Sequence, residues 1–316
     1  MKFRLIQLLL SIALSMTFVS IGHAELPKGT KSGFIEVEGG PVWYDMMGDG
    51  NGTPLMVLHG GPGYHTCGFQ RLAKLGDERR VVRYDQLGSG RSGRPRDTSL
   101  WNRDRFVREL TRVRKDLGLE EVHILGASWG ASLAAYYFLE TGGPGVKSLI
   151  LQSPLISTKR WIEDANRLRK TLPQDVQDAL TRNEKAGTIN SEEYKRASDI
   201  FYDNFVTRGE VVEDVGCRMG LAFDVYEYMW GPTEFNATGT LLDFDISDRL
   251  KDIDVPTLFM TGEFDEAMPE TVKEYAAMVP NARVEIINGV AHSILPRVPD
   301  EYRAILRDFL ASVEKE

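Results

Sequence analysis

The segment V-H-I-L-G-A-S-W-G at residues 122–130 is the most informative part of the chain. Residues 122–125 form a short apolar run that predicts a buried strand, and the small and apolar residues 131–139 predict a helix directly after it. The five residues between them fit the pattern G-x-S-x-G, whose glycines let a sharp turn close and lift the serine out beside a helix N-terminus. Ser128 is therefore a candidate nucleophile.

The alternation of strand and helix continues on both sides of this segment. Apolar runs bounded by Gly, Pro or Asp predict further buried strands of a mostly parallel sheet at residues 55–59, 81–84, 146–151, 257–260 and 284–287. Amphipathic patterns between these runs predict helices, so we expect an α/β fold with crossover helices on both faces. Residues 34–37 and 42–45, followed by the turn cluster 48–52, predict an antiparallel hairpin at the sheet edge.

The strand rhythm stops between residues 154 and 254. This stretch is charged, and strands resume at Val255 after helical patterns at residues 160–170, 174–185 and 191–205. A helical stretch of this length between two strands of one sheet is typical of an inserted cap. We therefore predict a core of residues 25–153 and 255–316 that carries a helical cap of residues 154–254.

The first 24 residues have the pattern of an export signal. Lys2 and Arg4 precede an apolar run at residues 5–21, and Gly22 and Ala24 supply the small residues of a cleavage site. We expect a signal peptide and a periplasmic or secreted protein, with an uncleaved membrane anchor as the alternative. No other stretch is long and apolar enough to span a membrane, so no membrane association is expected after leader removal.

Composition and charge exclude several classes of protein. With 42% hydrophobic residues in 316, the chain can bury a sizeable core, which argues against a disordered or disulfide-stapled mini-protein. The 38 Lys and Arg against 46 Asp and Glu give a net charge of −8, which argues against nucleic-acid or anionic-lipid partners. In an oxidising compartment Cys67 and Cys217 could pair, but the sequence does not tell whether they lie close enough.

A serine nucleophile needs a base and an acid, which follow it in the chain order Ser, acid, His for this type of turn. Of the five histidines only His292 follows Ser128, in the segment G-V-A-H just after the predicted strand 284–287. Asp265, in G-E-F-D-E at residues 262–266, comes at the end of the predicted strand 257–260 and is the favoured acid, with Glu263 as the alternative. No His-rich ligand set is present, and this chemistry needs no metal or cofactor.

An oxyanion site is predicted from the segment H-G-G-P-G at residues 59–63. Its glycines free backbone N–H groups to point into a pocket at the end of the strand 55–59. The N–H of Gly60 or Gly61, together with the N–H of Trp129, is therefore expected to stabilise the oxyanion of a tetrahedral intermediate.

Six segments in this order resemble the proline iminopeptidase family of α/β-hydrolases. They are H-G-G-P-G at 59–63, Y-D-Q-L-G-S-G-R-S at 84–92, G-A-S-W-G at 126–130, M-W-G-P-T-E-F at 229–235, G-E-F-D-E at 262–266 and G-V-A-H at 289–292. The resemblance covers residues 25–316 almost entirely. Within the family, the cap segment 226–245 and the G-E-F-D-E turn are most similar to the tricorn-interacting aminopeptidase branch.

The resemblance implies an α/β-hydrolase fold and a role for each motif. Ser128, Asp265 and His292 would form the catalytic triad, and the amides of Gly60 and Trp129 would form the oxyanion hole. The family recognises the free α-amino group of its substrate with carboxylates of the cap and of a loop.

Glu234 and Glu266 match the positions of those two carboxylates. Fixed carboxylates would hold a cationic ammonium that has lost its hydration and place the first peptide bond at the nucleophile. This arrangement would make the protein an exopeptidase that acts on short peptides or amino-acid amides with a free N-terminus.

Two departures from the family pattern widen the expected specificity. Strict proline-releasing members commonly carry G-G-S-W-G followed by Ser/Thr-Thr-Leu, whereas this chain has Ala127 within the turn and Ala131 and Ser132 after it. We therefore expect release of proline and of other small or apolar residues. The alternatives are a hydrolase of an amide, ester or acyl lactone without a free amine, and a non-catalytic binding protein on the same scaffold.

Overall fold

A central β-sheet organises residues 28–315, which are the residues that the computed structural model describes. Its strands are β1 (Lys31–Val37), β2 (Gly40–Leu58), β3 (Arg79–Tyr84), β4 (Val122–Ala127), β5 (Val146–Gln152), β6 (Thr257–Gly262) and β7 (Ala282–Ile287). The order is β1-β2-β4-β5-β6-β7, with β3 paired to β2. The pairs from β2–β4 to β6–β7 are parallel, so the predicted mostly parallel sheet is confirmed.

The edge of the sheet differs from the prediction in one respect. The hairpin of β1 and β2 is antiparallel as expected, but the predicted turn 48–52 lies inside the long strand β2. The pairing of β2 with β3 is antiparallel at first and shifts register there, so that Val81 lies opposite both Met47 and Leu55. The N–H groups of Asp49 and Gly50 in this turn donate to the carbonyl of Gly76, and that of Gly52 donates to the carbonyl of Glu78, just before β3.

Eight α-helices surround the sheet within residues 28–315. They are α1 (Arg103–Asp116), α2 (Trp129–Thr141), α3 (Thr158–Arg169), α4 (Gln174–Ala186), α5 (Glu192–Phe205), α6 (Phe223–Met229), α7 (Pro269–Ala276) and α8 (Pro299–Val313). Short 3-10 helices span Cys67–Leu75, Thr98–Leu100 and Ser247–Asp252. Helices α3 to α6 all lie between β5 and β6, inside the stretch predicted as the cap. None of the described helices is both long and apolar enough to cross a membrane.

Apolar side chains form separate clusters on the two faces of the sheet. One contains Phe106 and Leu110 of α1 with Trp129 of α2, and the other contains Tyr302 and Leu306 of α8. Burial of these one-sided stripes is the main stabilising contribution, at about 25 cal/mol for each Å² of apolar surface removed from water. Helices therefore cover both faces of the sheet, as the sequence predicts.

The cap has an apolar cluster of its own. Helices α3, α4 and α5 pack around Leu180, Tyr194, Phe201 and Phe205, together with Phe235 from the segment after α6. Helix α6 instead packs on the sheet side, where Tyr226 belongs to the cluster of α1 and α2. The helices α3, α4 and α5 of the predicted cap therefore share an apolar cluster that is separate from the clusters on the sheet.

Cys67 and Cys217 form a disulfide, with their Cα atoms 5.7 Å apart. This bond joins the helix that follows the H-G-G-P-G segment to the irregular segment between α5 and α6. The structure thus decides a pairing that the sequence left open. The predicted leader at residues 1–24 lies outside the described residues.

Candidate active site

Ser128 lies on a sharp turn between β4 and α2, as the G-x-S-x-G pattern predicts. Its φ of 56° and ψ of −122° are unusual for a residue with a side chain. The turn closes only with glycine at position 130, because a Cβ there would lie 2.3 Å from the carbonyl oxygen of Leu58. Ser128 is half-buried and lines a cavity of about 340 Å³. The local sequence therefore places its hydroxyl at the C-terminal edge of the sheet.

The H-G-G-P-G segment approaches the same serine from β2. A Cβ on Gly60 would lie 2.9 Å from the Cβ of Ser128, so only a glycine allows the backbone to come this close. Gly60 and Gly61 both line the cavity. Trp129 is the first residue of α2, so its N–H has no acceptor within the helix. The predicted oxyanion groups thus surround Ser128, and their catalytic role stays a prediction.

Gln86 links the two sides of this predicted oxyanion site. Its side-chain amide donates to the carbonyl of His59 and accepts from the indole N–H of Trp129, both at 2.9 Å. The Gln86 backbone N–H donates to Nε2 of His59 at 2.9 Å, and burial lowers the pKa of His59 to about 4. His59 is therefore neutral and structural, while Gln86 fixes the spacing of the two loops.

Asp265 and His292 meet at the ends of β6 and β7. Nδ1 of His292 lies 2.8 Å from Oδ1 of Asp265, which is buried. The Asp265 carboxylate also accepts hydrogen bonds from the N–H groups of Gly262 and Ala267 and from the hydroxyl of Ser153. Glu263, the alternative acid, instead accepts from the N–H of Gly289 on the exposed side. The geometry therefore favours Asp265 over Glu263 as the partner of His292.

The surroundings of His292 favour its charged form. Burial alone would lower the pKa of His292, but the charge of Asp265, the hydrogen bond to it and the charge of Glu234 together raise it. The Trp161 ring stands perpendicular to the imidazole with ring centroids 5.7 Å apart. With Nδ1–H donated to Asp265, Nε2 is the nitrogen left to take a proton.

Ser128 and His292 line the same cavity. No hydrogen bond joins their side chains among residues 28–315. In enzymes without substrate, bonds of this kind are often long and tighten only in the complex. The structure thus brings the three predicted triad residues to one site, and their catalytic roles remain predictions.

Glu234 lies in the cavity wall, in the segment that follows α6. Burial is the largest influence on its carboxyl group and raises its pKa, and the charge of Asp265 adds to this. His292 and the hydroxyl of Tyr226 act in the opposite direction without cancelling the effect. The side chain of Glu234 is half-buried, so its carboxylate can pair with a cation that enters the cavity.

Glu266 has an environment without a polar partner. It is buried, and neither carboxylate oxygen accepts a hydrogen bond in the described part of the chain. Oε1 lies 3.8 Å from Nδ1 of His292, too far for a hydrogen bond. Burial raises the pKa of Glu266 well above its usual range, and the charges of Glu234 and Asp265 add to this. The structure thus brings Glu234 into the wall of the Ser128 cavity, whereas Glu266 lines a separate small cavity with Trp161 and Asp164.

One group of metal-ligand types lies together in the described residues. It consists of His65, Cys67 and Cys217, whose ligand atoms lie within 4.8 Å of one another. Both sulfurs are engaged in the disulfide, and a metal ligand needs the thiolate. The oxidised protein thus offers no thiolate there.

Comparisons with known proteins agree with this geometry. A family model described as the alpha/beta hydrolase fold matches residues 53–296. A proline iminopeptidase of Heyndrickxia coagulans is 45% identical over 291 residues, covering 89% of this chain and 99% of that protein. The chain belongs to the proline iminopeptidase family.

Two solved structures have a fold similar to that of this chain. The proline iminopeptidase of Mycobacterium smegmatis matches with a TM-score of 0.80 at 34% identity, covering 90% of this chain and 98% of that one. The structure of VinJ matches with a TM-score of 0.81 at 32% identity, covering 90% and 99%. The expected α/β-hydrolase fold and family are confirmed, and the placement in the tricorn-interacting branch stays a prediction.

In this proline iminopeptidase family member, sequence reasoning missed the residues that support the site. Gln86 lies in the segment Y-D-Q-L-G-S-G-R-S at residues 84–92, but nothing in that segment indicates its contact with Trp129. Gln152 and Ser153 at the end of β5 contact all three triad residues, and no sequence pattern marks them. Among the aromatic residues of α6, Tyr226 lines the cavity, whereas Phe223 and Tyr228 are exposed.

Proposed function

We propose that the protein is a serine aminopeptidase that releases N-terminal proline, and other small or apolar residues, from short peptides and amino-acid amides. The observation that carries this proposal is the pair of carboxylates beside the triad, with Glu234 half-buried in the cavity wall and Glu266 buried next to Asp265. An unpaired buried charge is costly, and an arriving ammonium would supply the missing partner. Family membership supports the same activity, since the relatives named above include proline iminopeptidases.

The reaction begins with a tetrahedral intermediate on Ser128. The substrate's amino group binds between the two glutamates, which holds the first peptide carbonyl at Ser128. Oγ of Ser128 attacks the carbonyl carbon while Nε2 of His292 takes its proton, and Asp265 stabilises the resulting imidazolium. The negative oxygen is stabilised by the N–H groups of Trp129 and of Gly60 or Gly61.

Collapse of this intermediate gives the acyl-enzyme, which water then hydrolyses. The imidazolium of His292 gives its proton to the leaving amine, and the C–N bond breaks. Water then attacks the acyl-enzyme and gives a proton to Nε2 of His292. The C–O bond to Ser128 breaks as His292 passes this proton to Oγ of Ser128, and the free amino acid leaves. Every step uses side chains and amides of this chain, and the anchor restricts cleavage to the first residue.

Paired substrates test the requirement for a free amine. L-Prolyl-anilide should be hydrolysed, whereas its N-acetylated form should react at least about 100-fold more slowly, since it lacks the charge that the glutamates bind. Equal rates would favour the alternative hydrolase of amides, esters or lactones without a free amine.

Labelling tests whether the scaffold is catalytic at all. A serine-directed phosphonate should label one site per chain, and Ser128→Ala should abolish the labelling. Absence of labelling in the wild-type protein would favour a non-catalytic binding protein. A panel of amino-acyl anilides on the same preparation would then rank the preferred first residues.

We further propose that the protein is exported, to the periplasm or outside the cell, and that its leader is cleaved after Ala24. The disulfide between Cys67 and Cys217 supports this, because such bonds form and persist in oxidising compartments. Fractionation of expressing cells and the mass of the mature chain test it. A cytoplasmic protein that retains residues 1–24 would contradict the proposal.

A further inference from the structure

Ser153 shares an unusual backbone conformation with the nucleophile. Among residues 28–315 only Ser128 and Ser153 have a positive φ without being glycine, at 56° and 48°. Such strained positions persist only where their surroundings hold them, and they cluster at active sites. Ser153 directly follows β5, and its N–H donates to the carbonyl of Met260 in β6 at 2.7 Å.

The side chain of Ser153 acts on the triad acid. Its hydroxyl is buried and donates to Oδ2 of Asp265 at 2.6 Å. His292 uses the other oxygen, Oδ1. The hydroxyl therefore holds the carboxylate from the side opposite His292, and rotation of the carboxylate about its bond would break both contacts.

Gln152, the preceding residue, contacts the other two triad members. Its carbonyl accepts the N–H of Ser128 at 2.8 Å, and its side-chain amide donates to the carbonyl of His292 at 3.2 Å. The amide oxygen accepts from the buried hydroxyl of Tyr302 at 2.8 Å, which fixes the orientation of the side chain. Two consecutive residues at the end of β5 thus contact the nucleophile, the acid and the base.

We propose that Gln152 and Ser153 are positioning residues that set the distances within the triad. This inference rests on the catalytic roles of Ser128, Asp265 and His292 in the proposed function. The bond to the Ser128 N–H continues the pairing of β4 and β5, whereas the side chains of Gln152 and Ser153 reach His292 and Asp265 across the sheet edge. The strained φ of Ser153 is then explained, because it is the conformation that delivers the hydroxyl to Asp265.

Two variants separate the hydroxyl of Ser153 from its backbone. Ser153→Ala removes the hydroxyl and keeps the strain, whereas Ser153→Gly removes the hydroxyl and relieves the strain. If the hydroxyl positions Asp265, both variants should label Ser128 about 10- to 100-fold more slowly with an uncharged phosphonate, the effect of losing a hydrogen bond to a charged group. Gln152→Met should slow labelling about 2- to 10-fold.

The pH profile distinguishes positioning from a structural role. Without the Ser153 hydroxyl, the Asp265 carboxylate loses a hydrogen-bond donor and attracts the proton of His292 more strongly. The pKa of His292 should therefore rise, which moves the acid limb of the labelling rate to higher pH. Glu234 and Glu266, the other acids near His292, are unchanged in these variants. A loss of folded protein would lower the amplitude without moving the limb.

Ser148→Ala is the matched control. Ser148 is another buried serine of β5, and its hydroxyl lies 2.7 Å from Nδ1 of His123, away from the triad. Ser148→Ala should be labelled at the wild-type rate, with the acid limb at the wild-type pH.

The proposal for Ser153 would be overturned if Ser153→Gly were labelled at the wild-type rate, or if it were labelled slowly with the acid limb unmoved. The proposal for Gln152 would be overturned if Gln152→Met were labelled at the wild-type rate. Because phosphonate labelling needs no amine, a failure on prolyl substrates would contradict the proposed function separately.

Discussion

Asp265 and Glu266 are neighbours in the chain, but their carboxylates have opposite environments. The Asp265 carboxylate accepts hydrogen bonds from Ser153, Gly262, Ala267 and His292. The Glu266 carboxylate accepts none within the described residues. A buried carboxylate with all its partners inside the protein is a fixed part of the machinery, whereas one without partners is available to a ligand. The difference supports the proposed roles, with Asp265 in the triad and Glu266 as a partner of the substrate.

The largest effect is expected at the carboxylate with internal partners. Asp265→Asn should lower kcat on L-prolyl-anilide about 10⁴-fold with little change in KM, because the amide cannot stabilise the imidazolium of His292. Steady-state kinetics measure this. A change mainly in KM would mean that Asp265, too, binds the substrate.

At the other two carboxylates the effect should be smaller and of a different kind. Glu234→Gln and Glu266→Gln should each lower kcat/KM for L-prolyl-anilide about 10- to 100-fold, largely through KM, because each removes a charge that pairs with the ammonium. The labelling of Ser128 by an uncharged phosphonate should be nearly unchanged.

Glu227→Gln is the matched control for these two variants. Glu227 is exposed on α6, a few residues before Glu234 in the same part of the chain. It should behave as the wild type does. If Glu227→Gln weakened the enzyme as much as Glu234→Gln, a general loss of negative charge would explain both results.

Stability should change in opposite directions at the two neighbours. Asp265→Asn places an amide among donors and should lower the free energy of unfolding by about 1–3 kcal/mol. Glu266→Gln removes a buried carboxylate without a partner and should raise it by about 1–3 kcal/mol. Thermal unfolding of the protein without substrate measures both.

The gain at Glu266 should depend on pH. Because the pKa of Glu266 in the folded protein is raised above the ordinary 4.5, ionisation of this group opposes folding as pH rises above that value. The gain of Glu266→Gln should therefore be larger at pH 8 than at pH 4.5. A loss of stability in Glu266→Gln would show that the carboxylate has a partner in the folded protein.

The smallest effect is expected in the pH profile of hydrolysis. The acid limb of kcat/KM should lie above pH 6.5, because Asp265 and Glu234 raise the pKa of His292 and the protonated ring cannot act as base. Removing one of these charges in Glu234→Gln should lower the limb by less than about one pH unit. An unmoved limb in Glu234→Gln would mean that the charge of Glu234 does not reach His292.

The sequence was sufficient to predict that the three proposed triad residues lie together, because their positions follow from the topology. Ser128, Asp265 and His292 each stand just after a strand, and the C-terminal ends of parallel strands meet at one edge of the sheet. The same reasoning predicted the H-G-G-P-G segment beside Ser128. The turn at residues 48–52 was predicted to end a strand but lies inside β2, because local residue patterns do not show how a strand pairs across a register shift.

The supporting contacts could not be predicted in this way. The hydroxyl of Ser153 reaches Asp265 because β5 and β6 are neighbours in space, although these residues are more than a hundred positions apart in the chain. The unpaired state of Glu266 depends equally on how α3 and α5 of the cap pack over it, where its N–H donates to the carbonyl of Phe205. Both features arise from tertiary packing, which a single sequence does not show.

The binding of the substrate's amino group by Glu234 and Glu266 is tested most directly by one ratio, measured in the wild type and in a double variant. The ratio of kcat/KM for L-prolyl-anilide to that for its N-acetylated form should be at least about 100 in the wild type, for the charge pairing described above. In the double variant Glu234→Gln, Glu266→Gln, with wild-type labelling of Ser128 as proof of an intact triad, it should fall close to one. A double variant that keeps the wild-type ratio would contradict the assignment of the two glutamates to the substrate's amino group.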